Sequence, residues 1–316
     1  MSKGNILIAG GSGFLGSYLC DYYVSQDYFV DCLDNLSTGS KNNVKHLLNN
    51  RLFSYTQHDV TKKLPKDISD KKYDFILNMA SPASPPHYQR LAVETLEVGS
   101  QGTKNLLEKA LKDKARFFHA STSEVYGDPD VHPQPESYKG SVNCYGPRSM
   151  YDEAKRYAEA LIYVYHEKYG VNTTVARFFN TYGPRMDPHD GRVVSNLIVQ
   201  AIKNKPLTIY GDGTQTRSFC YVDDLVNGII KLIESNEHNP INLGNPGEFT
   251  INELAEKVLS LTGSKSKITY SPLPGDDPLQ RKPVIEIAKK KLNWEPTIDL
   301  ETGLQKTIEY FKNQSL

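Results

Sequence analysis

The 316-residue chain carries no excess of either charge: 37 Lys and Arg balance 37 Asp and Glu. Without a net field, nothing in its composition recruits nucleic acid or an acidic membrane surface. Cysteine is also scarce. Cys20, Cys32, Cys144 and Cys220 lie far apart, form no CxxC pair and have no histidine cluster beside them, which argues against a disulfide framework and predicts no metal site. Long apolar runs are missing as well, since no stretch approaches the roughly 18 residues of a membrane span. The opening Met1-Ser2-Lys3-Gly4, followed by five strand-like residues and then glycines, is too short and broken for the apolar core of a signal peptide. The expectation is a soluble protein in a reducing, cytoplasmic setting, with no nucleic-acid or membrane partner. What is present, 38% hydrophobic residues with 20 Tyr and 11 Phe, suits a globular chain with a sizeable core.

Short apolar runs alternate with segments of helical period, which reads as a doubly wound parallel sheet with crossover helices, a Rossmann-like α/β fold. Strands are expected at Asn5–Ala9, Phe29–Leu33, Leu52–Thr56, Phe75–Met79, Arg116–Ala120 and Thr173–Arg177, with helices over Gly13–Ser25, Ala92–Lys112 and Met150–Tyr169. Beyond Arg177, glycine and proline punctuate shorter helices near Arg192–Asn204, Val222–Ser235, Ile251–Leu261 and Leu300–Lys312. This predicts a dinucleotide-binding domain over 1–180, with a return segment near 207–243, and a smaller α/β substrate lobe over 181–316. The Lys289-Lys290-Lys291 triplet reads as a solvated helix end.

Gly10-Gly11-Ser12-Gly13-Phe14-Leu15-Gly16 follows the first strand and opens the first helix. A dinucleotide loop sits there, because backbone amides at a helix start cradle a pyrophosphate; a plain tight turn is the other reading. Asp34 closes the second strand some twenty residues on, where a carboxylate accepts both ribose hydroxyls and repels a 2'-phosphate. With no arginine in Asn35 to Gly39, NAD is favoured over NADP. Asp59 after the third strand either meets the adenine edge or caps the next segment.

Tyr151 and Lys155 are one helical turn apart on one face. A cation there lowers the pKa of the phenol and makes it a usable general acid or base. Ser121-Thr122-Ser123-Glu124 follows an apolar strand, so its hydroxyls and carboxylate sit at the carboxyl end of the sheet, where such folds bind ligands.

The glycine loop, Thr122 and Tyr151-xxx-Lys155 together resemble the extended short-chain dehydrogenase/reductase family along essentially the whole chain. Longer blocks, residues 80–88, Ser121 to Gly127, Gly146-Pro147-Arg148-Ser149, Asn180 to Arg185, 190–196 and Gly211 to Phe219, resemble its UDP-glucuronate decarboxylase branch. The resemblance implies that Tyr151, held by Lys155 and helped by Thr122, takes the proton of the sugar 4-hydroxyl while hydride passes to NAD. The ketone so formed is β to the carboxylate, carbon dioxide leaves, and return of hydride gives a UDP-pentose. It also implies that Ser123 and Glu124 lie beside the sugar ring. The implied cofactor set is Gly10, Gly13, Phe14, Leu15, Gly16, Asp34, Asn35, Thr38, Gly39, Asp59, Val60, Ala80, Ser81 and Thr95, with Tyr151 and Lys155. On the substrate side it implies Ser84 and Tyr88 in a rigid Pro-rich wall, Glu124 and Asn180 on the sugar nucleotide, and Tyr210 on the uridine. Arg192, Arg217 and Arg281 would supply cations for the diphosphate, for which the planar guanidinium fork is suited; a surface charge is the other reading of Arg192. A homodimer through a four-helix interface is the family expectation.

The chain departs from the family at Leu91-Ala92-Val93-Glu94-Thr95, where Glu94 replaces a lysine, and at Gly99, which replaces an asparagine. Rival readings are an NDP-hexose 4,6-dehydratase, against which the Ser before Glu124 argues, and a UDP-sugar 4-epimerase, against which Glu124 itself argues. A non-catalytic NAD-binding regulator is disfavoured because Tyr151 and Lys155 are both present.

Overall fold

The structure is a computed structural model that describes residues 2–273 and 280–314. Six strands form in the first half: β1 (Asn5–Ala9), β2 (Phe29–Asp34), β3 (Phe53–Gln57), β4 (Phe75–Asn78), β5 (Arg116–Thr122) and β6 (Thr173–Phe178). A further strand, Ile241–Leu243, joins them in an all-parallel sheet of order β3-β2-β1-β4-β5-β6 and then Ile241–Leu243. Runs such as Ile6-Leu7-Ile8-Ala9 are apolar throughout because both faces of this sheet are covered. One face packs on α1 (Phe14–Ser25) and on the helix Val222–Glu234.

The other face is covered by helices that follow α2 (Lys66–Ser69), α3 (Pro85–Arg90) and α4 (Ala92–Glu97), namely α5 (Thr103–Asp113) and α6 (Ser149–Tyr169). Strand order reverses between β1 and β4, which opens the crevice beyond their carboxyl ends where ligands bind in such sheets.

Three features differ from the sequence expectation, each for a local reason. The single helix expected over Ala92–Lys112 is broken by a wider turn at Val98–Gly102. There the chain passes so close to α6 that a Cβ on Gly99 would lie 2.7 Å from the Ala154 Cβ. The Pro-rich wall is partly helical, because Pro85 and Pro86 occupy the first helical positions, where a missing N–H costs nothing. Short strands also form in the second half. Leu207–Tyr210 pairs with Ile268–Ser271, and Thr216–Ser218 lies between Glu248–Thr250 and Gln280–Arg281. The lysine triplet occupies the last turn of the helix Glu286–Leu292.

Candidate active site

The glycine loop turns tightly between β1 and α1. Gly10, at φ +77°, backs onto β4, where a Cβ would lie 2.7 Å from the Ala80 nitrogen, and a Cβ on Gly16 would lie 2.1 Å from the Gly10 carbonyl oxygen. Glycine is therefore required at both, by close approach of backbone to backbone. No side chain caps the N-terminus of α1, and its first turn holds no acidic residue, so free backbone amides face the crevice as an anion site. Asp34 is buried at the end of β2 and accepts from the Ser12 amide at 2.9 Å and the Leu36 amide at 2.8 Å. Burial outweighs these bonds and raises its pKa. A cleft opens from this loop; Gly10, Gly13, Asp34, Asn35, Thr38, Gly39, Asp59, Val60, Ala80 and Ser81 all line it.

Thr122 ends β5, and its hydroxyl accepts from the Glu124 amide at 3.2 Å, starting the single turn Ser123–Tyr126. The same hydroxyl reaches the phenol of Tyr151. Tyr151 is buried, and the ring of Tyr88 stacks on it with centroids 4.9 Å apart and an 11° tilt. The Lys155 ammonium donates to the Ala120 carbonyl at 2.7 Å and lies 5.8 Å from the centre of the Tyr151 ring. Burial pushes Lys155 down to about 8 against the pull of Glu159. The sequence expectation of a lowered phenol does not describe this geometry: burial raises Tyr151 above the usual tyrosine range, against the Thr122 hydrogen bond.

Glu124 is the charged centre of the site. Arg148 donates to its Oε2 at 2.6 Å and Arg281 at 3.2 Å. Burial opposes the carboxylate, but the two guanidiniums outweigh it and hold Glu124 down to about 2. Arg281 is fully buried, and it also donates to the carbonyls of Ser123 and Gly127. The short strand that pairs Arg281 with Arg217 thus sets its guanidinium against the turn Ser123–Tyr126.

A family model of the NAD dependent epimerase/dehydratase family matches residues 6–244. The chain belongs to this family. Its cofactor is NAD, which the uncapped helix end, the two obligatory glycines and the carboxylate at the end of β2 fit. Among curated relatives, a UDP-glucuronic acid decarboxylase 1 from Danio rerio is 50% identical over 309 residues, 98% of this chain and 73% of that protein. A UDP-glucuronic acid decarboxylase 3 from Arabidopsis thaliana is 49% identical over 97% of this chain and 89% of its own length. Among solved structures, a UDP-glucose 4-epimerase from Thermotoga maritima superposes with TM-score 0.89 at 30% identity, covering 98% of each chain. A UDP-glucuronic acid 4-epimerase from Bacillus cereus, in complex with UDP-glucuronic acid and NAD, gives 0.87 at 29%, covering 98% of this chain and 99% of that one.

Within this epimerase/dehydratase framework the remaining sequence-selected residues divide. The side chains of Phe14 and Leu15 pack against the core, and their backbone forms the first turn of α1. The Thr95 hydroxyl donates to its own helix at the Leu91 carbonyl, 2.7 Å away. Ser84 is buried, and Asn180 lies just past β6. Arg192 pairs with Asp190 at 2.5 Å while its charge acts on Tyr151. Arg217 is buried and its charge acts on Glu124, whereas Tyr210 is half-exposed. Sequence reasoning missed Arg148 and Asp152; both flank Tyr151, three residues before it and one after, and their charge so near a reactive tyrosine was the available signal. Glu94, one of the departures from the family, lines the cofactor cleft, and so does Glu97, which sequence reasoning missed.

Proposed function

We propose that this chain is an NAD-dependent UDP-glucuronate decarboxylase that converts UDP-glucuronate to UDP-xylose through a UDP-4-keto intermediate. The carrying observation is identity near 50% to curated decarboxylases over 98% of the chain, against 30% and 29% to the two epimerases of solved structure named above. NAD, when bound, supplies a reversible hydride acceptor, which turns carbon 4 into a ketone able to take the electrons of the departing carboxylate.

The chain's own residues manage protons and position. Tyr151 takes the proton of the 4-hydroxyl and later returns it, with the Thr122 hydroxyl and the Tyr88 ring fixing its orientation. Lys155, buried beneath it on the Ala120 carbonyl, supplies positive charge on that side as the phenolate forms. Ser123 and Glu124 form the floor under carbon 5. Arg217 and Arg192, beside the site, serve the diphosphate and the sugar.

Exposed Val93 and Leu96 on α4 and Tyr157, Tyr163 and Val164 on α6 support a homodimer through these helices, to be measured by light scattering. The four free cysteines suit action in the cytoplasm; among the described residues no helix is long and apolar enough to cross a membrane.

The test is to incubate purified protein with UDP-glucuronate and catalytic NAD, following carbon dioxide and the sugar nucleotide. UDP-pentose is expected without accumulation of NADH. The variant Tyr151→Phe should lower kcat by about 10²–10⁴-fold while keeping its stack on Tyr88. Loss of water from a neutral NDP-hexose, with UDP-glucuronate untouched, would replace this reading by the dehydratase.

A further inference from the structure

Loss of carbon dioxide from a sugar carboxylate takes up one proton. The bond from carbon 5 to the carboxyl carbon breaks, its electron pair passes into an enolate, and that pair ends in a new C–H bond at carbon 5. Tyr151 contributes nothing net to this balance, because the proton it removes from the 4-hydroxyl is the one it restores. A second proton has to be held nearby.

Glu124 does not store it, since two guanidiniums keep it ionised at rest, so it can only relay a proton held elsewhere. Arg148 and Arg281 keep their protons at any ordinary pH. Asp152 is different. It sits on α6 beside Tyr151, is 5% exposed, and its Oδ1 is buried with no hydrogen-bond partner among the described residues. Its amide donates to the Arg148 carbonyl at 3.2 Å. Around it stand Glu124 from the turn after β5, Arg148 from the segment before α6, and Arg281 from the strand Gln280–Arg281. Glu153 and Tyr151 flank it on its own helix, and Tyr88 faces it from α3. A buried carboxyl oxygen without a partner is costly when charged and much less so when it carries a proton.

We propose that Asp152 holds the proton that ends at carbon 5, passing it to Glu124, which delivers it to the enolate, after which solvent water re-protonates Asp152. The proposal rests on the decarboxylase reading. The balance closes: Asp152 loses a proton and regains it from solvent, Glu124 gains and loses one, and carbon 5 keeps one. Asp152 is thus a positioning residue that acts through Glu124. Burial, reinforced by the Glu124 charge, pushes its carboxyl up to about 7, so it is protonated below that pH and empties above it.

The experiment measures kcat and KM for UDP-glucuronate from pH 6 to 9 with wild type, Asp152→Asn and Asp152→Glu. Wild-type kcat should fall about tenfold per pH unit above about 7 with KM level. Asp152→Asn should lose at least tenfold in kcat at pH 6.5, keep KM within about twofold and lose the pH limb; Asp152→Glu should recover both kcat and the limb. A merely structural aspartate would not move the limb. If Asp152→Asn melts early, the wild-type and Asp152→Glu profiles decide. A wild-type kcat level across this range, or Asp152→Asn with wild-type kcat and limb, overturns the proposal alone. Wild-type protein that releases no carbon dioxide overturns the decarboxylase reading and this proposal with it.

Discussion

Replacing Glu124 with Gln removes one charge from the middle of two guanidiniums and leaves the shape unchanged. The Glu124 side chain is 18% exposed, and its carboxyl is held down from an ordinary 4.5 to about 2. At about 1.4 kcal/mol per pH unit, that preference is worth about 3 kcal/mol of folding stability. The same order follows from removing the anion that Arg148 and Arg281 share, since breaking a buried ion pair costs about 3–5 kcal/mol. A depressed carboxylate contributes fully above its unfolded value and loses its contribution as pH falls through the folded one. The stability gap between wild type and Glu124→Gln, measured by urea unfolding, should therefore be about 3 kcal/mol between pH 5.5 and 7 and narrow steadily below about 4.5. A gap below about 1 kcal/mol at pH 7, or one that stays constant through pH 4, refutes the assignment of Glu124 as the anion that both arginines share.

Gly16→Ala drives a Cβ against the Gly10 carbonyl and displaces the loop amides, so calorimetry should show NAD affinity reduced at least about tenfold; unchanged affinity would separate the loop from the pyrophosphate. His119 is buried on β5 with neither ring nitrogen partnered among the described residues, and burial, with the Lys155 charge, keeps it neutral. His119→Leu should raise stability by about 1–3 kcal/mol in thermal or urea unfolding, and a destabilised variant would show that the imidazole satisfies a need not met by apolar packing.

The doubly wound sheet was legible because its strands are buried on both faces and so read as unbroken apolar runs. Ile6 to Ala9 and Ile76 to Leu77 leave little alternative. The nucleotide loop was legible because Gly10 and Gly16 answer backbone contacts that forbid any side chain. The break at Val98–Gly102 was not, because helical period continues through it and the cause, the close approach to Ala154, lies across the molecule. Two- and three-residue strands such as Gln280–Arg281 have no period to read, yet that one decides where Arg281 points. Arg281 was legible as a cation, but its bonds to Glu124 and to the Gly127 carbonyl were not. The direction of the Tyr151 shift was misread as well: burial of the phenol, which depends on Tyr88 stacking from a different helix, outweighs the neighbouring charges that sequence spacing exposes.

The charge arrangement has a consequence for the proposed chemistry. Free guanidiniums facing the carboxyl group of the sugar would hold that carboxylate tightly before it reacts and lose the contact as neutral carbon dioxide forms. Such binding stabilises the ground state and raises the barrier. On the proposed chemistry, Glu124 draws Arg148 and Arg281 onto itself, which weakens the hold of these two guanidiniums on the departing carboxylate. The negative charge then develops on the carbonyl oxygen at carbon 4, next to Tyr151 and on the side of the buried Lys155 ammonium. Positive charge is thus neutralised where substrate charge disappears and kept where it accumulates. An electrostatic site favours decarboxylation when it makes that distinction, and it explains why a carboxylate at position 124 belongs in an enzyme whose substrate carries one of its own.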